Sequence, residues 1–117
     1  METIQNAKLL RIFIGELDKI GHQPLYEAIV FKAKENGLAG ATVLKGILSY
    51  GANSLIHSVK LWDISPDMPV IIEIVDSEEK ISAFLPTVKQ MFEETLSGGL
   101  ITLEKVEIIL YHSTKKN

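Results

Sequence analysis

Between Met68 and Leu96 the hydrophobic period of this chain changes once, abruptly, and that change restricts what it can fold into. Over "MPVIIEIVD" (Met68–Asp76) the residues alternate: Val70, Ile72 and Ile74 fall on one face, Ile71, Glu73 and Val75 on the other. A two-residue period of β-branched side chains is a strand. From there Ile81, Phe84, Leu85, Val88, Phe92 and Leu96 recur at helical spacing, with Met91 beside them, which predicts an amphipathic helix. Asp76 and Glu79 stand three apart at the junction, as an N-cap acceptor and its capping-box carboxylate do. Pro86 lies inside the stripe and predicts a kink, or a lost hydrogen bond one turn earlier.

The same strand-then-helix order appears earlier in the chain. "KLLRIFIG" (Lys8–Gly15) alternates Leu10, Ile12 and Ile14 against Leu9, Arg11 and Phe13. After the polar connection "ELDKIGHQ", Pro24 takes the first position of a helix running to about Asn36, with Tyr26, Ile29, Val30 and Ala33 on its apolar side and Gly37 as its left-handed stop. Gly40–Tyr50 reads as a second strand, with Gly46 a bulge or close-approach point. Leu100–His112 reads as a fourth, in one piece or two, before the polar tail "STKKN". The order β-α-β-β-α-β defines an α+β fold: a ferredoxin-like sandwich, four-stranded antiparallel sheet with two helices on one face. At 117 residues the chain is expected to form a single domain, 1–117. Leu9, Phe13, Ile71 and Val75 would leave the second face of the sheet apolar and uncovered, and a partner subunit is the economical cover.

Composition removes several function classes. A net charge of -3, with four Phe, three Tyr and one Trp for stacking, gives neither the basic field nor the aromatic surface of a nucleic-acid binder. There is no cysteine, which excludes disulfides, thiolate metal sites and a cysteine nucleophile and fits a reducing cytoplasm. The N-terminus lacks a signal-peptide pattern, so a soluble cytoplasmic protein is expected. His22, His57 and His112 lie in three separate segments without metal-ligand spacing, so no metal site is expected. Ser49 and Ser54 lie near His57, but no nucleophile elbow accompanies them. Glu16 and Asp18 read as a solvated loop before they read as an acid/base pair. Glu73 interrupts an apolar strand on the uncovered face; an exposed strand residue and a ligand- or interface-facing carboxylate are equally good readings. No catalytic residue is expected.

The glycines carry the remaining signal. Gly51 closes the second strand and Gly98-Gly99 precede the fourth; glycine permits close approach to an anion, and a bare turn explains the same residues. The two sites are expected to converge at one edge of the sandwich. Residues 51–67 are too long for a tight hairpin yet contain Leu55, Ile56, Val59, Leu61, Trp62 and Ile64, so they should pack on a neighbour or order on binding.

The blocks "LRIFIGE", "PLYEAIVFKAKENGLAGATVLKGI", "YGANSLIHSVKLW", "MPVIIEIVDSEEKISAFLP" and "LITLEKVEII" resemble, across nearly the whole chain, the PII-like proteins grouped as the domain-of-unknown-function family numbered 190. The resemblance implies a homotrimer with its open sheet faces inward. It also implies an adenine nucleotide (AMP, ADP or ATP) in the clefts between subunits, and a loop at 51–67 that contacts a target protein. Relatives occurring beside fluoride-channel-like proteins suggest a membrane transporter or channel as that target. Leu48-Ser49-Tyr50-Gly51 resembles the turn at the base of the PII loop, with Ser49 in place of a glycine. Glu73 matches the third-strand glutamate, and Ser97-Gly98-Gly99 the phosphate loop. The nucleotide-binding residues implied are thus Ser49, Tyr50, Gly51, Asn53, His57, Glu73, Gly98 and Gly99. Where classical PII has a lysine after the phosphate loop this chain has Leu100, and Ile108–His112 lacks the late paired arginines. Fewer cations favour a mono- or diphosphate, or another anion held by His57, Lys45 or Lys60. The expectation is a non-enzymatic signalling module that requires no cofactor; the alternative is a structural or other small-metabolite-binding trimer of the same fold.

Overall fold

The computed structural model describes residues 4–50, 56–58, 68–95 and 98–112. Among the described residues ten elements follow in order: β1 (Ile4–Gly15), β2 (Lys19–Ile20), β3 (Gln23–Pro24), α1 (Leu25–Glu35), β4 (Thr42–Lys45), β5 (Leu48–Tyr50), β6 (Ile56–Ser58), β7 (Pro69–Ser77), α2 (Glu78–Thr95) and β8 (Leu100–Ile108). The main sheet has the order β4-β7-β1-β8, and its three pairings are antiparallel. This is the ferredoxin-like α+β sandwich.

Its centre is the β1–β7 pair, in register from Ala7 opposite Ser77 to Gly15 opposite Pro69. That register lays Leu10, Ile12 and Ile14 beside Val70, Ile72 and Ile74, all buried, under Leu25, Ala28, Ile29 and Ala33 of α1 and Ile81, Phe84, Val88 and Met91 of α2. A slip of one residue would send every one of these side chains to the opposite face.

Local chemistry corrects four of the boundaries read from sequence. Pro24 is the N-cap of α1 and not its first residue, with φ -57° and ψ 134°. It is held one step outside because it pairs with Lys19 in the small β2–β3 ribbon. Asp76 is not the cap of α2. It is a buried strand residue whose carboxylate accepts from the Ala39 N–H at 2.8 Å and the Ser77 N–H at 2.7 Å, while the Ser77 hydroxyl accepts from Lys80 N–H at 3.3 Å. The capping role therefore falls to the next residue. The second strand divides at Gly46, whose N–H donates to the Pro69 carbonyl at 2.8 Å. A Cβ there would lie 2.7 Å from the Pro69 side chain, so any other residue would have to push the Pro69 ring aside. The fourth strand stops at Ile108 in one piece. Gly37 ends α1 in the left-handed region, with φ 77°, as expected. The helix α2 runs through Pro86 without interruption.

Because the Asp76 carboxylate ties the α1–β4 connection to β7, Asp76→Ala should cost about 2 kcal/mol by stranding two amide donors. Urea denaturation would show the loss as a lower midpoint with an unchanged slope; a midpoint at the wild-type value would remove the staple role.

Candidate functional site

Two groups of implied ligand residues flank the same end of the sheet. At one, β4 gives way after Lys45 to the ribbon β5–β6, in which Leu48, Ser49 and Tyr50 stand opposite Ser58, His57 and Ile56. The paired strands β5 and β6 thus stand at the base of the 51–67 segment, which is longer than a tight hairpin allows. The strand β6 follows so soon after β5 that residues 51–55 alone separate them. Gly51, Asn53 and Lys60 lie outside the described residues. At the other, Gly98 and Gly99 lead into β8, and Leu100 pairs with Phe13 near the end of β1.

These groups do not converge within one chain. The strands β4 and β8 are the opposite edges of the sheet, with β7 and β1 between them; three strand spacings put them about 14 Å apart. The expectation of a shared edge fails because β7 and β1 take the centre, as the split βαβ connection requires.

The two neighbouring glycines differ. A Cβ at Gly99 would run into the Phe92 ring and come within 2.8 Å of the Phe13 carbonyl oxygen, whereas one at Gly98 would meet nothing within 4 Å. Packing against α2 therefore accounts for Gly99, whereas Gly98 has open space where a side chain would stand. Beside it Leu100 is 56% exposed, an apolar side chain with no charge to offer an anion.

Glu73 sits in the middle of the open face, part-buried and already partnered. Its carboxylate accepts from Arg11 Nε at 2.9 Å, while Arg11 Nη1 donates to Glu104 at 2.8 Å. The Glu73 hydrogen bond, aided by the charges of Glu104 and Glu73, holds the guanidinium above its ordinary value against desolvation. Lys45, an anion candidate, pairs with Glu16 at 2.9 Å; both ends are partly exposed, so an incoming anion has only a weak surface pair to displace. Asp18 closes its own turn by accepting from the Gly15 N–H at 2.8 Å, the structural reading of that carboxylate. His22 and His112 are exposed. Among the described residues no three His, Asp or Glu side chains are placed to share a metal ion, and no helix is long and apolar enough to cross a membrane.

A split βαβ sandwich with a β-ribbon leaving one sheet edge and a glycine turn at the other is a variant of the ferredoxin-like fold. Residues 7–108 match the family DUF190, described as "Uncharacterized ACR". The chain belongs to that family. It is 44% identical over 106 residues to a UPF0166 protein of Aquifex aeolicus, covering 91% of this chain and 96% of that one. With a UPF0166 protein of Methanocaldococcus jannaschii it shares 38% identity over 97 residues, 83% of this chain and 86% of the other. Among solved structures it superposes on CPII, a nitrogen regulatory PII-like protein from Thiomonas intermedia K12 solved with ADP, AMP and bicarbonate. The TM-score is 0.65 at 18% identity over 87% of each chain. A structure from Thermus thermophilus assigned to the PII-like signaling proteins gives 0.59 at 18% identity over 93% of this chain and 94% of that one.

The contrast between the glycines can be read out directly. Gly99→Ala should destabilise the fold by about 1–3 kcal/mol through overpacking, and Gly98→Ala should stay within about 0.5 kcal/mol of wild type. Thermal melts that rank the two in the reverse order would contradict this division.

Proposed function

We propose that the chain is a non-enzymatic PII-like regulatory module that binds an adenine nucleotide in a cleft between two copies of itself. In this reading one copy supplies Ser49, Tyr50 and His57 of the ribbon, together with Gly51 and Asn53, which lie between its strands in sequence, and the next supplies the turn at Gly98 and Gly99. The observation that carries it is the placement of these groups at opposite sheet edges, about 14 Å apart by strand spacing. A nucleotide touching both is served by two chains joined edge to edge. Heterologous contacts of that kind close into a ring, and a trimer is the ring proposed. The PII-like neighbour solved with ADP and AMP supports the ligand class.

Glu73 enters this reading differently from the other residues. Its carboxylate is engaged by Arg11 on the sheet face, so its part is to hold the face against which copies pack and not to meet phosphate. With Leu100 beside the glycine turn, a ligand of one or two phosphates is favoured over a triphosphate, since each missing cation removes a charge-assisted contact. Nucleotide occupancy acts on the 51–67 segment by binding one of its arrangements better than another, which is the only way a ligand shifts a population. The target of that segment is a further protein, with a membrane transporter or channel as the candidate.

Titration calorimetry with AMP, ADP and ATP, on protein whose mass is set by light scattering, should give heat with AMP or ADP and less affinity for ATP. No heat with any of them overturns the proposal. The two-chain cleft has its own test. His57→Ala and Gly98→Asp should each abolish binding, and an equal co-expressed mixture should recover about a quarter of the sites, half of the ribbons and half of the turns being intact. A mixture with no recovered sites would place the ligand within one chain.

A further inference from the structure

The open face of the sheet is more than an apolar patch. Leu9, Phe13 and Ile71 are half-buried on it, and Leu44, Val75 and Leu100 are exposed. Across the sheet, Thr42, Glu73, Arg11 and Thr102 form one row, between a row with Val75, Leu9 and Glu104 and a row with Leu44, Ile71, Phe13 and Leu100. In these three rows the charged residues are Arg11, Glu73 and Glu104, joined in one network.

We infer that this network sets the register in which the open sheet faces of neighbouring copies meet inside the proposed ring, with Arg11 as its specificity-determining residue. The inference rests on the oligomeric reading above and names the contact that makes it unique. Apolar side chains alone select no particular angle or offset between two sheet faces. A charged network covered by a partner does, because groups that lose water without gaining hydrogen bonds are costly. Arg11 uses its Nε and Nη1 on Glu73 and Glu104, and a guanidinium carries five N–H donors. Each carboxylate has one oxygen in these bonds, and the Glu104 side chain is 61% exposed. The patch thus holds spare donors and spare acceptors side by side, so that the donors of one copy can meet the acceptors of the next around a ring, and this argues for further copies of the chain as the occupant. A polar group inside an apolar seam that fixes register at some cost in stability is the best-attested use of such networks.

Sedimentation and light scattering of wild type, Arg11→Met and the neutral triple variant Arg11→Met/Glu73→Gln/Glu104→Gln test this, with circular dichroism as the check on folding. Wild type should show one mass above that of the monomer. Arg11→Met, which leaves two carboxylates facing the partner without their cation, should associate at least tenfold more weakly. The triple variant should associate again but as a mixture of sizes. If Arg11→Met does not fold, Arg11→Lys, which keeps the charge and loses the fork, should give the same weakened association. Arg11→Met at the wild-type mass across the dilution range would overturn the inference, as would a triple variant of a single wild-type size. Monomeric wild type would overturn the oligomeric reading itself.

Discussion

Everything in this molecule hangs on the antiparallel pairing of β1 with β7. The register fixes which side of each strand meets the helices, and the hydrophobic alternation of both strands agrees with it: Leu10, Ile12, Ile14, Val70, Ile72 and Ile74 are buried on one face. Because the side-chain period is two, the same register decides the other face. It sets Arg11 opposite Glu73 and Phe13 opposite Ile71, a charged pair inside an apolar field. It also places β4 and β8 at the outer edges, which is why the ribbon and the glycine turn part company within one chain. The core, the composition of the open face and the separation of the two edges all follow from one pairing.

Much of this is legible in the sequence because the informative signals are local. Strand and helix periods, the Gly37 stop and the close approach at Gly46 each depend on a few neighbouring residues, and each stands as read. Errors arise where a distant residue decides a local outcome. Pro24 has the φ of a first helical residue, but pairing with Lys19 keeps it outside the helix. Asp76 has the chemistry of a cap and the spacing of a capping box. The Ala39 amide, 37 positions away in the chain, takes its carboxylate instead. The β5–β6 ribbon escapes a reading that weighs residues 51–67 as one loop, and the short strand Ile56–Ser58 has too few residues to show a period.

The candidate site is legible as residue types and opaque as geometry. Nothing in the spacing of Ser49, His57, Gly98 and Gly99 reveals that β7 and β1 lie between their strands, and no local signal separates the packed position of Gly99 from the open space around Gly98. Glu73 stands out in the sequence as an anomaly on an apolar face. Its partner, Arg11, is 62 residues away and becomes visible once the register is known. The resemblance to PII-like proteins suggests the ligand class in the proposal, and the sheet order, with the ribbon and the glycine turn at opposite edges, is what its two-chain cleft rests on.

Hydrogen exchange of the intact protein, with and without ADP, tests the central claim most directly. One ligand bridging a ribbon on one edge and a turn on the other should slow exchange in both segments together, residues 46–58 and 98–100, while the α1–α2 surface is unchanged. Protection confined to one of the two segments, or appearing between the helices, would contradict it.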